Sequence, residues 1–244
     1  LSKENGACFL LVRDDGKNFI LANNIEMPRF LTEEISAADF EPVEYAWQDE
    51  KSSGDFVIEK AKSLLNGNKT LASDLFLRNE IRPLENLISR CRYNLTEAEI
   101  ERYRKLGADA GRAIDSVIQI INEGETEIEI ARKTRNELAK FNINPVVTLI
   151  GADARIEKFR HPVPTEHRWK KVLLIVVCAK REGLIASLSR IACVGAIPDE
   201  LRRKTEAAAY VFAKMLDATK AGTGGAEIYQ ITADAYAEKA FADE

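Results

Sequence analysis

GADARIEKFRHPVPTEHRWKKVLLIVVCAKREGLIASLSR, residues 151–190, is the stretch whose reading decides the fold of this chain. It opens with a polar loop, GADAR, and a His-Pro-x-Pro-Thr segment at 161–165. Two hydrophobic strands follow, joined by the short charged turn AKREG at 179–183. The run VLLIVVCA from Val172 is too short to span a bilayer and reads as a buried strand. Glu182, in the turn, is the one carboxylate of this strand pair, and no aspartate lies between Lys170 and Pro198.

Outward from this stretch the pattern is regular. Upstream, PVVTLI (145–150) predicts another strand. Before it, Thr126 and Glu129 form a capping box that starts a helix through EIARKTRNELAKF, closing at Phe141. An earlier box, Thr96 to Glu99, starts a longer helix with apolar residues at Ile100, Tyr103, Leu106, Ala110, Ile114, Val117 and Ile121, which Gly124 is expected to end. The box also accounts for the sequon Asn94-Leu95-Thr96 without glycosylation. Downstream, the turn AIPDE leads to a helix over 200–222 and a last one over 226–241. Gly222-Thr223-Gly224-Gly225 follows a helix and not a strand, so it reads as a loop rather than a phosphate cradle.

Residues 1–92 predict a separate, smaller α/β unit. ACFLLVR and NFILAN flank the turn DDGK as a hairpin. IEMPRFLTEEI runs into a helix, EPVEYAW is a strand, and GDFVIEKAKSLLNG is an amphipathic helix closed by Gly67. LASDLF and IRPLENLISRCR complete the unit, and a boundary is expected near Asn94.

Composition bounds the partners. The chain has 244 residues, 45% hydrophobic and 30% charged, with a net charge of −4. That balance suits a globular chain of one large or two medium domains and argues against nucleic acid as a partner. No secretory signal or membrane span is visible, so a cytoplasmic protein is expected. The chain opens on Leu1, which leaves a trimmed N-terminus open. Cys8, Cys91, Cys178 and Cys193 have no metal-type spacing and read as buried thiols of a reducing compartment. His161 and His167, six apart without a third ligand, make a poor metal motif.

GADAR, HPVPT, the strand pair ending S-L-S-R and the order helix, helix, strand, strand, strand, helix, helix resemble the pita-bread family of methionine aminopeptidase, Xaa-Pro aminopeptidase, prolidase and creatinase. The resemblance implies an α+β pita-bread (creatinase/aminopeptidase) fold. Residues 94–244 would be the first half of its catalytic-type domain, preceded by a creatinase-like N-terminal domain over 1–92. The phrase LANNIEMPRFLTEE is similar to one subgroup. The second half would lie beyond Glu244, so the sequence is expected to be a piece of a longer protein.

Metal-bearing members read roughly D-x-G-x(5)-Y-x-x-D-x-T-R along this strand pair. With Ser189-Arg190 as the T-R step, Ser187 falls at the second aspartate and Val176 at the first, while Cys178 takes the glycine position. A serine hydroxyl is a weak neutral ligand and valine is none, whereas two neighbouring divalent ions need bridging carboxylates. No metal ligand and no cofactor is therefore predicted from this chain. Mn or Co enters only if a second half supplies ligands.

The resemblance assigns His161 the role of substrate-positioning donor or general acid, the alternative being a histidine packed before proline. Imidazole suits either role because it titrates near neutral pH. Arg160 and Arg155 are candidates for binding a substrate carboxylate in bidentate fashion, against the alternative of surface ion pairs. Arg190 is expected to pair with a carboxylate in the sheet, and Asp153 and Glu157 to be solvated loop residues. Ser187 and Ser189 share a strand face but lack a base other than His161.

Three functions remain open. The first is an Xaa-Pro aminopeptidase or creatinase-like hydrolase of small peptide or C–N-bond substrates, working without the usual dinuclear centre. The second is a non-catalytic pseudopeptidase that binds peptides or proteins. The third is a metallopeptidase whose metals are held by second-half residues and unusual first-half ligands, against which stands the ligand count. A homodimer is expected by analogy with the family.

Overall fold

Asp14-Asp15-Gly16-Lys17 turns the chain back on itself, with Gly16 at φ +84 and the Arg13 amide donating to the Lys17 carbonyl at 2.9 Å. The computed structural model describes residues 6–35, 39–67, 70–75 and 77–242. Leu1, Phe76 of the LASDLF segment and the final Asp243-Glu244 lie outside them. The chain divides into two compact units, Leu1–Asn94 and Leu95–Glu244.

In the first unit the turn joins β1 (Phe9–Val12) antiparallel to β2 (Asn18–Asn23). α1 (Met27–Arg29) passes directly into a π-helical turn over Phe30–Glu34, and β3 (Glu41–Tyr45) pairs parallel to β2. β2 is central and carries Phe19, Ile20, Leu21 and Ala22 into the core from both faces. This is why it reads as an unbroken apolar run rather than as an alternation. α2 (Trp47–Ser52) and α3 (Phe56–Ser63) follow, then the short parallel pair β4 (Ala72–Ser73) and β5 (Arg82–Pro83), and α4 (Glu85–Cys91). Gly67 does not close α3. The helix stops at Ser63, and Gly67 sits in a later bend at φ +77.

In the second unit both capping boxes form. The Thr96 hydroxyl accepts from the Glu99 amide, and the Glu99 carboxylate accepts from the Thr96 amide, opening α5 (Glu97–Ile120). The same exchange between Thr126 and Glu129 opens α6 (Glu127–Ala139). Gly124 does not end α5, which stops at Ile120. Ile121 is already extended, and Gly124 at φ +89 donates its N–H to the Trp169 carbonyl.

β6 (Asn144–Ala152), β7 (Val172–Arg181) and β8 (Leu184–Cys193) form an antiparallel sheet in that order. Glu182 and Gly183, both at positive φ, make the two-residue turn between β7 and β8, whose backbone twist matches the strands it joins. α5 and α6 pack on one sheet face, where Leu173, Ile175, Val177 and Ala179 meet Leu106, Ile114, Val117 and Ile130 in one core. α7 (Ala154–Lys158) lies between β6 and β7, and the hairpin of α8 (Asp199–Ala218) and α9 (Gly225–Glu238) completes the unit. The glycine-rich Gly222–Gly225 segment is the α8–α9 loop.

Several side chains differ from expectation. GADAR is not a polar loop, because Gly151 and Ala152 are the buried end of β6. Cys91 is exposed and Cys8, Cys178 and Cys193 are half-buried, so the thiols are not core residues. Arg190 pairs with Asp115 of α5 at 3.4 Å, not with a carboxylate in the sheet, which has none to offer it.

Two close approaches bear on the stability of this unit. Asp109 of α5 is 4% exposed and accepts from Arg181 at the end of β7 (2.7 Å) and from Arg112. The Arg181 hydrogen bond outweighs desolvation and holds the Asp109 carboxyl below its ordinary value. Its stabilisation is present above the unfolded-state pKa of about 4 and is lost as pH falls through the lower folded value. Asp109→Asn should cost about 3 kcal/mol in urea unfolding by leaving Arg181 without its counter-charge. It should also flatten the loss of stability below about pH 4 relative to the unsubstituted chain. The second approach is at Gly151, where a Cβ would stand 2.7 Å from Pro162 Cγ and 3.0 Å from Pro162 Cβ. A proline ring cannot swing aside, so Gly151→Ala should lower the urea midpoint by the equivalent of about 1–3 kcal/mol.

Candidate functional site

The segment between β6 and β7 is held at one end of the sheet by two carboxylates. Glu127, the first residue of α6, is fully buried. Its Oε1 accepts from the Ala152 amide and from Arg155 Nε, both at 2.9 Å. Its Oε2 accepts from the Thr165 amide at 2.9 Å and the Thr165 hydroxyl at 2.7 Å. Four donors, one of them a guanidinium, satisfy a charge that would otherwise be costly to bury. Three segments, the end of β6, the start of α7 and the PVPT loop, therefore converge on one side chain.

Asp153 is the second hold. It is a half-buried acceptor rather than a solvated loop residue, taking the amides of Lys170 (3.1 Å), Lys171 (2.9 Å) and Val172 (3.0 Å), with His167 Nε2 at 3.7 Å. Burial pushes its carboxyl up, but the three amides and His167 together outweigh that and hold it below the usual range. The residue sits at φ +54, ψ −130, a backbone conformation costing roughly 1–3 kcal/mol in a non-glycine residue, which these bonds offset. Glu157, by contrast, is exposed as expected.

His161 is exposed on the loop so fixed, followed by Pro162, which is buried against Gly151 and accepts the Ile150 amide at 3.1 Å. It is the proline, not the histidine, that packs. Arg160 is exposed beside it. Arg155 is turned inward. Besides Glu127 it donates to the Val163 carbonyl at 3.0 Å and lies over the Phe159 ring at 5.0 Å. The guanidinium thus ties α7 to the loop two residues beyond His161.

Val176 and Ser187 occupy the sheet face opposite α5 and α6. Val176 pairs with Ser189 and Cys178 with Ser187, so Val176 and Ser187 are diagonal neighbours across the β7–β8 ladder. The Ser187 hydroxyl donates to Cys178 Sγ at 3.3 Å. Leu149, across from Val176 on β6, continues this face, and Ile185 and Ile191 on β8 are 41% and 44% exposed. The donors offered here are hydroxyls and a thiol. Among the described residues no group of three or more His, Cys, Asp or Glu side chains could hold a metal ion, and no helix is long and apolar enough to cross a membrane.

Sequence reasoning missed Glu127 altogether. Its one signal was a carboxylate inside the second capping box, at a position where acidic residues commonly serve the helix dipole.

The search of curated proteins gives no match. Among solved structures, the dipeptidase PepE from Mycobacterium ulcerans superposes with a TM-score of 0.80 at 14% identity, covering 99% of this chain and 68% of its own. The Xaa-Pro dipeptidase from Bacillus anthracis gives 0.77 at 17%, covering 99% and 70%. The prolidase from Pyrococcus furiosus gives 0.74 at 19%, covering 99% and 72%. At such identities the likeness is one of fold, and the α+β pita-bread architecture is shared. Residues 101–244, more than half of the chain, match the model of metallopeptidase family M24, and the chain belongs to that family.

Proposed function

We propose that this chain is a hydrolase of the Xaa-Pro aminopeptidase and creatinase sort, acting on a small peptide or another C–N-bond substrate without a dinuclear metal centre. The observation that carries the reading is the donor chemistry of the β7–β8 face. Val176 offers no ligand atom, and the Ser187 hydroxyl is a neutral oxygen hydrogen-bonded to Cys178. Such a set does not fit two divalent cations, which need shared carboxylates. In this reading His161 holds the substrate by a hydrogen bond; water adds to the carbon of the scissile C–N bond, that bond breaks, and His161 gives a proton to the leaving nitrogen and regains one from the water, while Arg160 receives a substrate carboxylate. Arg155, bonded to Glu127 and Val163, acts by positioning the loop.

The same donor set favours a second reading, in which the chain binds peptides without cleaving them. Mn or Co would enter only if a second half of the fold supplies ligands. The proposal extends to a cytoplasmic homodimer.

Metal content after incubation with manganese or cobalt and desalting should be well below one ion per chain, and two ions per chain would overturn the metal-free reading. Turnover of Xaa-Pro peptides that falls about 10²–10⁴-fold in kcat/KM in His161→Ala would establish the hydrolase. Peptide binding without turnover, weakened by the same substitution, would establish the binding module.

A further inference from the structure

The segment that carries His161 is basic in a chain of net charge −4. Between β6 and β7 it holds Arg155, Lys158, Arg160, Arg168, Lys170 and Lys171 against Asp153, Glu157 and Glu166. Internal bonds use part of this set. Arg155 faces Glu127, Asp153 is occupied by three amides, and Arg168 donates to the Gly124 carbonyl at 2.7 Å. The acidic start of α6 is engaged as well. Glu125 pairs with Lys133, and Glu129 is bonded to the Thr126 amide and flanked by Arg168 and Arg132.

Lys158, Arg160, Lys170 and Lys171 remain exposed and have no ion-pair partner among the described residues. The exposed carboxylates at this end include Glu123, Glu157 and Glu166, and Glu129, which is bonded within its capping box. The backbones of these cations are fixed: Lys170 and Lys171 on Asp153, Lys158 in the last turn of α7, and Arg160 just ahead of the Pro162–Gly151 contact. Lys158 and Arg160 stand within three residues of His161 in sequence, and Lys170 and Lys171 lie where the same segment enters β7.

We propose that this end of the sheet is a docking surface for acidic peptides, selecting substrates whose side-chain or terminal carboxylates meet these four cations. The inference rests on the peptide reading above and names the substrate class. Exposed cations each contribute little to affinity, so they act together, through capture rate and discrimination against basic peptides, and salt weakens them. Interspersed glutamates and the overall negative charge disfavour a polyphosphate track.

The test uses the full chain and fluorescein-labelled Glu-Pro-Glu-Glu, Ala-Pro-Ala-Ala and Lys-Pro-Lys-Lys, followed by anisotropy at low and high salt. The acidic peptide should bind about tenfold more tightly than the basic one at low salt, with the difference shrinking at high salt. The variant Lys158→Gln/Lys170→Gln/Lys171→Gln, checked for fold by circular dichroism, should lose that preference and keep its affinity for Ala-Pro-Ala-Ala. Equal binding of acidic and basic peptides by the unsubstituted chain overturns the charge selection and leaves the peptide reading standing. Failure to bind any of the three overturns both. A single-stranded oligonucleotide that outcompetes Glu-Pro-Glu-Glu at the same salt overturns the inference in favour of a nucleic-acid surface.

Discussion

The Glu127 carboxylate is the constraint on which the presentation of His161 depends. A fully buried charge cannot tolerate missing donors, and Glu127 obtains its four from β6, α7 and the PVPT loop at once. Because the donors come from three segments, the segments cannot shift independently without stranding an acceptor. Asp153 repeats the device on the outgoing side, where the chain enters β7. Between these holds, Pro162 fills the space that the missing Cβ of Gly151 leaves. The loop's shape is thus set by side-chain acceptors and one close contact, not by regular secondary structure.

The second unit was legible because its local signals agree with its packing. Two Thr-x-x-Glu boxes, a 3.6-residue apolar period in α5 and two apolar runs around Glu182-Gly183 each announce one element. The structure satisfies all of them through the same core. Boundaries are less legible where a glycine reads as a stop. Gly67 and Gly124 do adopt positive φ, but in turns that follow the helix end by several residues. GADAR reads as a loop because its residues are small and polar, while the absent Cβ of Gly151 lets the Pro162 ring approach.

The strand pair that carries the site was legible in the sequence, and the residues that hold the rest of the site in place were less so. Val176 and Ser187 could be placed by counting along the strand pair, since a two-residue turn fixes the register of the ladder. Glu127, Asp153 and the inward Arg155 could not. Their roles depend on partners 25 to 38 positions away in sequence for Glu127 and 17 to 19 for Asp153, beyond the reach of local pattern.

The face bearing Val176 and Ser187 is distinct from the face that builds the core. Leu173, Ile175, Val177 and Ala179 lock β7 to α5 and α6, while the alternate residues point away. The holds on the His161 loop likewise make no use of positions 176 and 187. Such a division lets selection treat the two faces separately. Changes at 176 and 187 alter what the surface can coordinate without disturbing the packing that makes the chain fold. The sheet can therefore vary on its outer face while its inner face keeps the unit folded.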